Sequence, residues 1–210
     1  MKPGQLELER AVEAARQAIA VEAVALAALE RRLDAGFRMA VQLLHGLDGH
    51  AVVTGLGKSG HVGVKTAATL ASTGTPAFFV HAGEALHGDA GMLSDGDVVL
   101  AISNSGETSE VCGFALLARD RGHPVVALTG HPESTLARLA DAVIDVSVER
   151  EADPHDLVPT ASTTVTMALG DALAVALMVA DDFGPEDFHR HHPGGALGSR
   201  LVELAAGDRT

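Results

Sequence analysis

Cysteine is nearly missing from this 210-residue chain, which has only Cys112, and tryptophan and tyrosine are missing altogether. One thiol excludes an intramolecular disulfide framework and any all-cysteine metal site in one chain. It suits a reducing cytoplasm, which is the compartment expected here. The few aromatics are all phenylalanine, among them Phe78, Phe79 and Phe114, and they read as packing groups rather than a base-stacking platform. Basic residues are scarce too: 15 Lys and Arg stand against 28 Asp and Glu, a formal net charge of −13. A polyanion is repelled at long range by such a chain, so no nucleic-acid partner is expected. Long apolar runs are also lacking. They are short or broken by charge and glycine, so none is expected to cross a bilayer as one helix. The first residues, MKPGQLELERAVEAARQ, carry charges where a signal peptide needs its apolar stretch. Small anions are not excluded, because backbone amides bind phosphate even in an acidic protein.

What is present is a chain 47% hydrophobic with 23 Gly and 8 Pro, long enough to bury one sizeable core. From about Gln5 to Leu47 apolar residues such as Leu8, Val12, Ala15, Ile19, Val24, Ala27 and Leu33 recur at helical spacing. Gly36 and Asp48-Gly49 are the expected punctuation, giving one long helix or two. Residues 1–48 are therefore expected to be a helical extension that packs across an oligomer and belongs to the same unit as the rest. After Gly49 short apolar runs appear at 51–54, 77–80, 98–102, 125–128 and 142–148, separated by helical stretches at 60–71, 110–120 and 134–140. Strand runs without inside–outside alternation, alternating with helices, predict an α/β fold with a parallel sheet covered on both faces. A further apolar helix is expected over 160–179. Residues 49–205 form one expected domain, 206–210 a flexible tail, and fraying is expected from Glu203 onward.

Three features carry chemistry. Thr54-Gly55-Leu56-Gly57-Lys58-Ser59-Gly60-His61 follows the first strand, and its glycines allow a tight turn into a helix with unpaired amides. It is neither a Walker loop nor a clear dinucleotide fingerprint, and a plain turn with a solvated Lys58 is the alternative. Ser103-Asn104-Ser105-Gly106-Glu107-Thr108 follows the strongest strand. Its three hydroxyls and the helix-start amides suit the acceptor oxygens of a phosphate, though simple helix capping uses the same residue types. Acid–base candidates near element ends are His87, Glu110, Glu151 and His192; a Glu and a His over a sugar move protons between adjacent carbons and oxygens. His189-Arg190-His191-His192 resembles a zinc patch but lacks a matching carboxylate or HExxH frame, so no metal is required. Cys112 reads as a packing residue, and Ser105 is not in a GxSxG nucleophile motif. Phosphate capture beside proton transfer is the one reading that uses all three features.

The stretches GLGKSGHVGVKTAATLASTGTPAFFVHAGEALHGDAGM, AISNSGETSE, PTASTTVTMALGDALAVAL and DFHRHHPGGALG closely resemble the sugar-isomerase domain of the arabinose-5-phosphate isomerases. The serine-rich loop marks the broader sugar-isomerase superfamily, and the HGDAGM and HPGGALG runs narrow it. The resemblance implies a doubly wound, five-stranded parallel sheet with a helical N-terminal extension, assembled as a homotetramer. It implies reversible interconversion of D-arabinose 5-phosphate and D-ribulose 5-phosphate through an enediol, without a cofactor, feeding the octulosonic acid of lipopolysaccharide. By resemblance the catalytic set is Lys58, His87, Glu110, Glu151 and His192, and the phosphate site comprises Ser59, Ser103, Ser105 and Thr108. An inhibitory metal site involving His87 or His192 is a further expectation. Many members continue into a paired regulatory module of cystathionine-synthase type; the sequence stops shortly after His192-Pro193-Gly194-Gly195, so a short form without it is expected. A sedoheptulose-7-phosphate isomerase and a noncatalytic sugar-phosphate sensor are the alternative functions.

Overall fold

The computed structural model describes residues 4–191. His192, the end of the expected 49–205 unit, and the tail from Glu203 onward lie outside the described residues. The N-terminal region is two helices, α1 (Gln5–Glu30) and α2 (Ala35–Leu44). The break falls just before Gly36, not at it: the Asp34 carboxylate accepts the Gly36 N–H at 2.8 Å and caps α2. Gly36 itself sits in the first turn of α2 for a different reason. A Cβ there would lie 2.0 Å from the Val143 carbonyl oxygen, so only glycine lets the helix come this close to the neighbouring strand.

The alternating region follows: β1 (Ala51–Gly55), α3 (Gly57–Ser72), β2 (Ala77–His81), α4 (Ala82–Ala85) and a 3-10 turn at Asp89–Met92. Then come β3 (Val98–Ile102), α5 (Ser109–Asp120), β4 (Val125–Thr129), α6 (Thr135–Leu139) and β5 (Ala142–Asp145). The described chain ends with α7 (Ala161–Ala180) and α8 (Pro185–His191). All five strands are parallel in the order β2-β1-β3-β4-β5. Every residue of β1, β3 and β4 is buried, which is why the sequence shows apolar runs without alternation. Val53 and Leu100 pack in one cluster with Leu29, Leu44, Leu70, Leu169 and Leu173. Val52 and Val99 pack in the other with Val111, Phe114 and Leu136. Burial of each fully covered Phe or Leu stabilises the fold by about 1.5–3 kcal/mol.

Strand β5 is shorter than the expected 142–148 run, because side chains take over beyond it. The Ser147 N–H donates to Asp145 at 2.8 Å, and the Arg32 guanidinium donates to the Ser147 hydroxyl at 2.6 Å and its carbonyl at 2.8 Å. Helix α7 corrects another expectation. By length and composition alone it is apolar enough to cross a membrane. Its Val165, Leu169, Leu173 and Leu177, spaced by four, are instead buried in the protein's own core.

Candidate functional site

Strand β1 continues through α3 to β2 on one side, whereas β3 lies on the other side of β1. Chains leaving the carboxyl ends of β1 and β3 therefore diverge, and the crevice between them is where an open parallel sheet holds ligands. Both glycine- and serine-rich segments leave from these two ends. Lys58 and Ser59 form the first turn of α3, and Ser103–Thr108 links β3 to α5.

A cavity of about 220 Å³ occupies this crevice, lined by Leu56, Lys58, Ser59 and Val62, by Asn104, and by Pro159, Ser162, Thr163 and Thr166. Lys58 and Ser59 thus stand together on its wall, and the serine loop reaches it through Asn104. Glu151 approaches from the third side. Its carboxylate accepts the Thr160 N–H at 2.8 Å, the Ser162 N–H at 3.1 Å, the Thr160 hydroxyl at 3.2 Å, and the Ser162 hydroxyl. Burial alone would raise this carboxyl, but the hydrogen bonds from Ser162 and Thr160 outweigh it and hold the group below its ordinary value. Glu151 is therefore an ionised cap on the start of α7.

That cap decides where an external anion fits. The first N–H groups of any helix lack intrahelical acceptors. At α7 an internal carboxylate supplies them. At α3 and α5 no side-chain cap bond is made, by Leu56 in the first case or Thr108 in the second. Positive helix-end potential thus remains at α3, while at α5 the Glu110 carboxylate in the first turn offsets part of it.

The serine loop is shaped by bonds within it. Ser103, 3% exposed, accepts the Gly106 N–H at 3.1 Å, and its hydroxyl lies 2.9 Å from that of Thr108. Ser105 is exposed and accepts the Glu107 N–H at 3.2 Å. Gly106 has φ +65°, and a Cβ on it would lie 2.0 Å from the Ser134 hydroxyl, so this turn requires glycine. Glu107 accepts the Thr135 N–H at 2.8 Å, tying the loop to the start of α6; that bond and the Thr135 side chain lower its pKa. Among the described residues, then, Ser103 and Thr108 brace the loop while Ser105 is presented to solvent.

Two further acid–base candidates, Glu110 and His87, are not among the residues lining the cavity. Glu110 is half-buried in the first turn of α5, with its pKa lowered by its own backbone N–H and then by the Ser109 hydroxyl, which donates at 2.9 Å. His87 is exposed in the turn after α4. Its neighbour Leu86 reaches toward Gly113 of α5, so the His87 turn packs along α5. Cys112 has its pKa raised by burial and then by Glu107, which fits a packing thiol. Among the described residues no group of three or more His, Cys, Asp or Glu is placed to hold a metal ion. The sequence reading missed Asn104, Ser162, Thr163 and Thr166 as lining residues; the hydroxyl-rich PTASTTVT segment was the available signal.

Comparison with known proteins follows the same outline. The SIS domain family matches residues 47–176. Arabinose 5-phosphate isomerase KdsD of Escherichia coli K12 is 50% identical over 190 residues, covering 90% of this chain and 58% of the relative. The KdsD of Pseudomonas aeruginosa is 52% identical over 191 residues, covering 91% of this chain and 59% of the relative. The chain thus spans somewhat under two thirds of the length of these curated relatives. A solved structure of an E. coli CFT073 protein in complex with arabinose 5-phosphate superposes with a TM-score of 0.84 at 37% identity, covering 91% of this chain and 100% of that one.

Proposed function

The chain belongs to the SIS domain family, and from that premise we propose that it interconverts D-arabinose 5-phosphate and D-ribulose 5-phosphate. The observation that carries the reading is the meeting of Lys58, Ser59, the serine loop and the start of α7 around one cavity between the ends of β1 and β3. The KdsD relatives and the solved complex with arabinose 5-phosphate support the choice of sugar.

In this reading the phosphate sits against the Ser105 hydroxyl and the first-turn amides of α5 that Glu110 does not occupy, with Ser103 and Thr108 holding the loop in shape and Ser59 beside it. Loss of a C1 proton from ribulose 5-phosphate gives an enediolate whose oxygen carries the developing negative charge. The Lys58 ammonium on the cavity wall stabilises that charge. Protonation of C2, with the O1 hydroxyl proton passing to O2 as O1 becomes the carbonyl oxygen, completes the aldose. Glu151, held ionised by four hydrogen bonds, is a poor proton donor at neutral pH and serves to anchor α7. Proton transfer and ring opening are assigned to His87, Glu110 and His192; His87 and Glu110 do not line this cavity in their own protomer, so in this reading a neighbouring copy completes the set, with ionised Glu110 acting as a base, and no cofactor takes part.

The assembly proposed is a homotetramer. Residues 4–17 of the α1 region are all exposed, with Leu8 at 53% and Val12 at 52%, and Ile19 just beyond them is 70% exposed. An apolar stripe on the exposed N-terminal half of α1 is covered most simply by other copies of the chain. Residues 1–48 and 49–205 are read as one unit, and the reaction is read as a cytoplasmic one that supplies lipopolysaccharide precursor synthesis. The reading is tested by NMR of ribulose 5-phosphate with metal-stripped protein in D₂O. Arabinose 5-phosphate carrying deuterium at C2 is the expected product; neither product nor exchange would overturn it.

A further inference from the structure

The hydroxyls on the α7 side of the cavity share a property that the residue types alone do not reveal. Each hydroxyl carries one proton and two lone pairs. The Ser162 hydroxyl gives its proton to the Glu151 carboxylate. That of Thr163 gives its proton to the Thr160 carbonyl at 2.9 Å, and that of Thr166 to the Ser162 carbonyl at 2.7 Å. None of these three acceptors has a proton to return, so the direction of each bond is fixed. All three residues line the cavity, and Ser162 and Thr166 are only 2% and 5% exposed. Any hydrogen bond that these hydroxyls make to a ligand is therefore one that they accept. Lys58, whose ammonium only donates, lines the same cavity from α3.

We infer that the cavity is polarised, and that Ser162, Thr163 and Thr166 determine specificity by accepting hydrogen bonds from hydroxyl groups of the sugar chain, while the oxygen that gains negative charge lies toward Lys58. A polyol phosphate satisfies both walls. An analogue lacking the hydroxyl that faces α7 leaves a desolvated acceptor unpaired, which costs more than the lost bond itself. Glu151 is a positioning residue in this arrangement, because its negative charge commits the Ser162 proton inward.

This polarity rests on the sugar-phosphate reading, and the test separates the two. Calorimetric titration would compare D-arabinitol 5-phosphate with its 2-, 3- and 4-deoxy derivatives, on the wild type and on Ser162→Ala, Thr163→Val and Thr166→Val. Inorganic phosphate is titrated alongside to show that each variant keeps its phosphate site. The wild type is expected to bind at least one deoxy derivative about tenfold or more weakly than the parent. At least one variant, binding inorganic phosphate as the wild type does, is expected to lose that discrimination and bind parent and derivative alike. Equal affinity of the wild type for all four ligands, or discrimination unchanged in all three variants, would overturn the polarised wall while leaving the sugar-phosphate reading in place. Failure of the wild type to bind any of the four would overturn both.

Discussion

Replacement of Glu151 by Gln tests whether this residue holds α7 or moves a proton. The carboxylate accepts four hydrogen bonds from Thr160 and Ser162. A glutamine keeps one carbonyl oxygen but turns an NH₂ toward two of those donors. Hydrogen bonds to a charged group contribute about 1.5–3 kcal/mol each, and helix caps about 0.5–2 kcal/mol. Glu151 is only partly buried, so solvent screening reduces the sum. The expected loss is roughly 1–2 kcal/mol, or about 2–8 °C in melting temperature for a domain of this size. The pH dependence has a definite sign. The folded pKa lies below the ordinary 4.5, so the stabilisation is present above that value and fades as pH falls through the folded pKa. Circular-dichroism melts of wild type and Glu151→Gln should therefore differ at pH 7 and converge in acid. Equal melting temperatures at pH 7, or a gap that persists unchanged in acid, would refute the cap. So would a fall in kcat of about a hundredfold with no change in stability, the signature of a lost acid–base group.

Three further outcomes follow from the site. Lys58→Met should lower kcat by about a hundredfold, the scale for loss of one oxyanion donor, and unchanged kcat and KM would leave Lys58 a solvated surface residue. Ser103→Ala combined with Ser105→Ala removes both the loop's brace and its exposed hydroxyl, and should reduce kcat/KM by about tenfold or more with the far-ultraviolet dichroism preserved; near-normal kinetics would remove the loop from the site. Deletion of residues 1–20 spares the buried Ala25 and Leu29 of α1, so the protomer should remain folded while gel filtration shows a smaller assembly; an assembly of native size would assign the exposed stripe another role.

Much of the fold could be read from the sequence because burial on both faces leaves a local mark. Val98–Ile102 and Val125–Thr129 are apolar without alternation, and a central parallel strand is the arrangement that demands this. The boundaries that were misplaced depend on partners distant in sequence. β5 stops early because Arg32, more than a hundred residues upstream, takes the Ser147 hydroxyl and carbonyl. Gly36 read as a helix break because its reason for being glycine, the Val143 carbonyl, belongs to a strand far down the chain.

The site divides along the same line. Lys58, Ser59 and the Ser103–Thr108 loop were legible because each directly follows a strand, and strand ends are where this architecture puts ligands. Glu151 was legible as a carboxylate near the site but not as a cap, since that role is set by Thr160 and Ser162 folding back nine and eleven residues later. Ser162, Thr163 and Thr166 were hidden for a related reason. Hydroxyls at the start of a helix ordinarily serve the helix itself, and here the protons of Thr163 and Thr166 do so while that of Ser162 goes to the Glu151 cap. Only the lone pairs are left for a ligand. A residue can thus satisfy a local structural rule and still belong to a binding wall, because donating and accepting are separate capacities of the same oxygen.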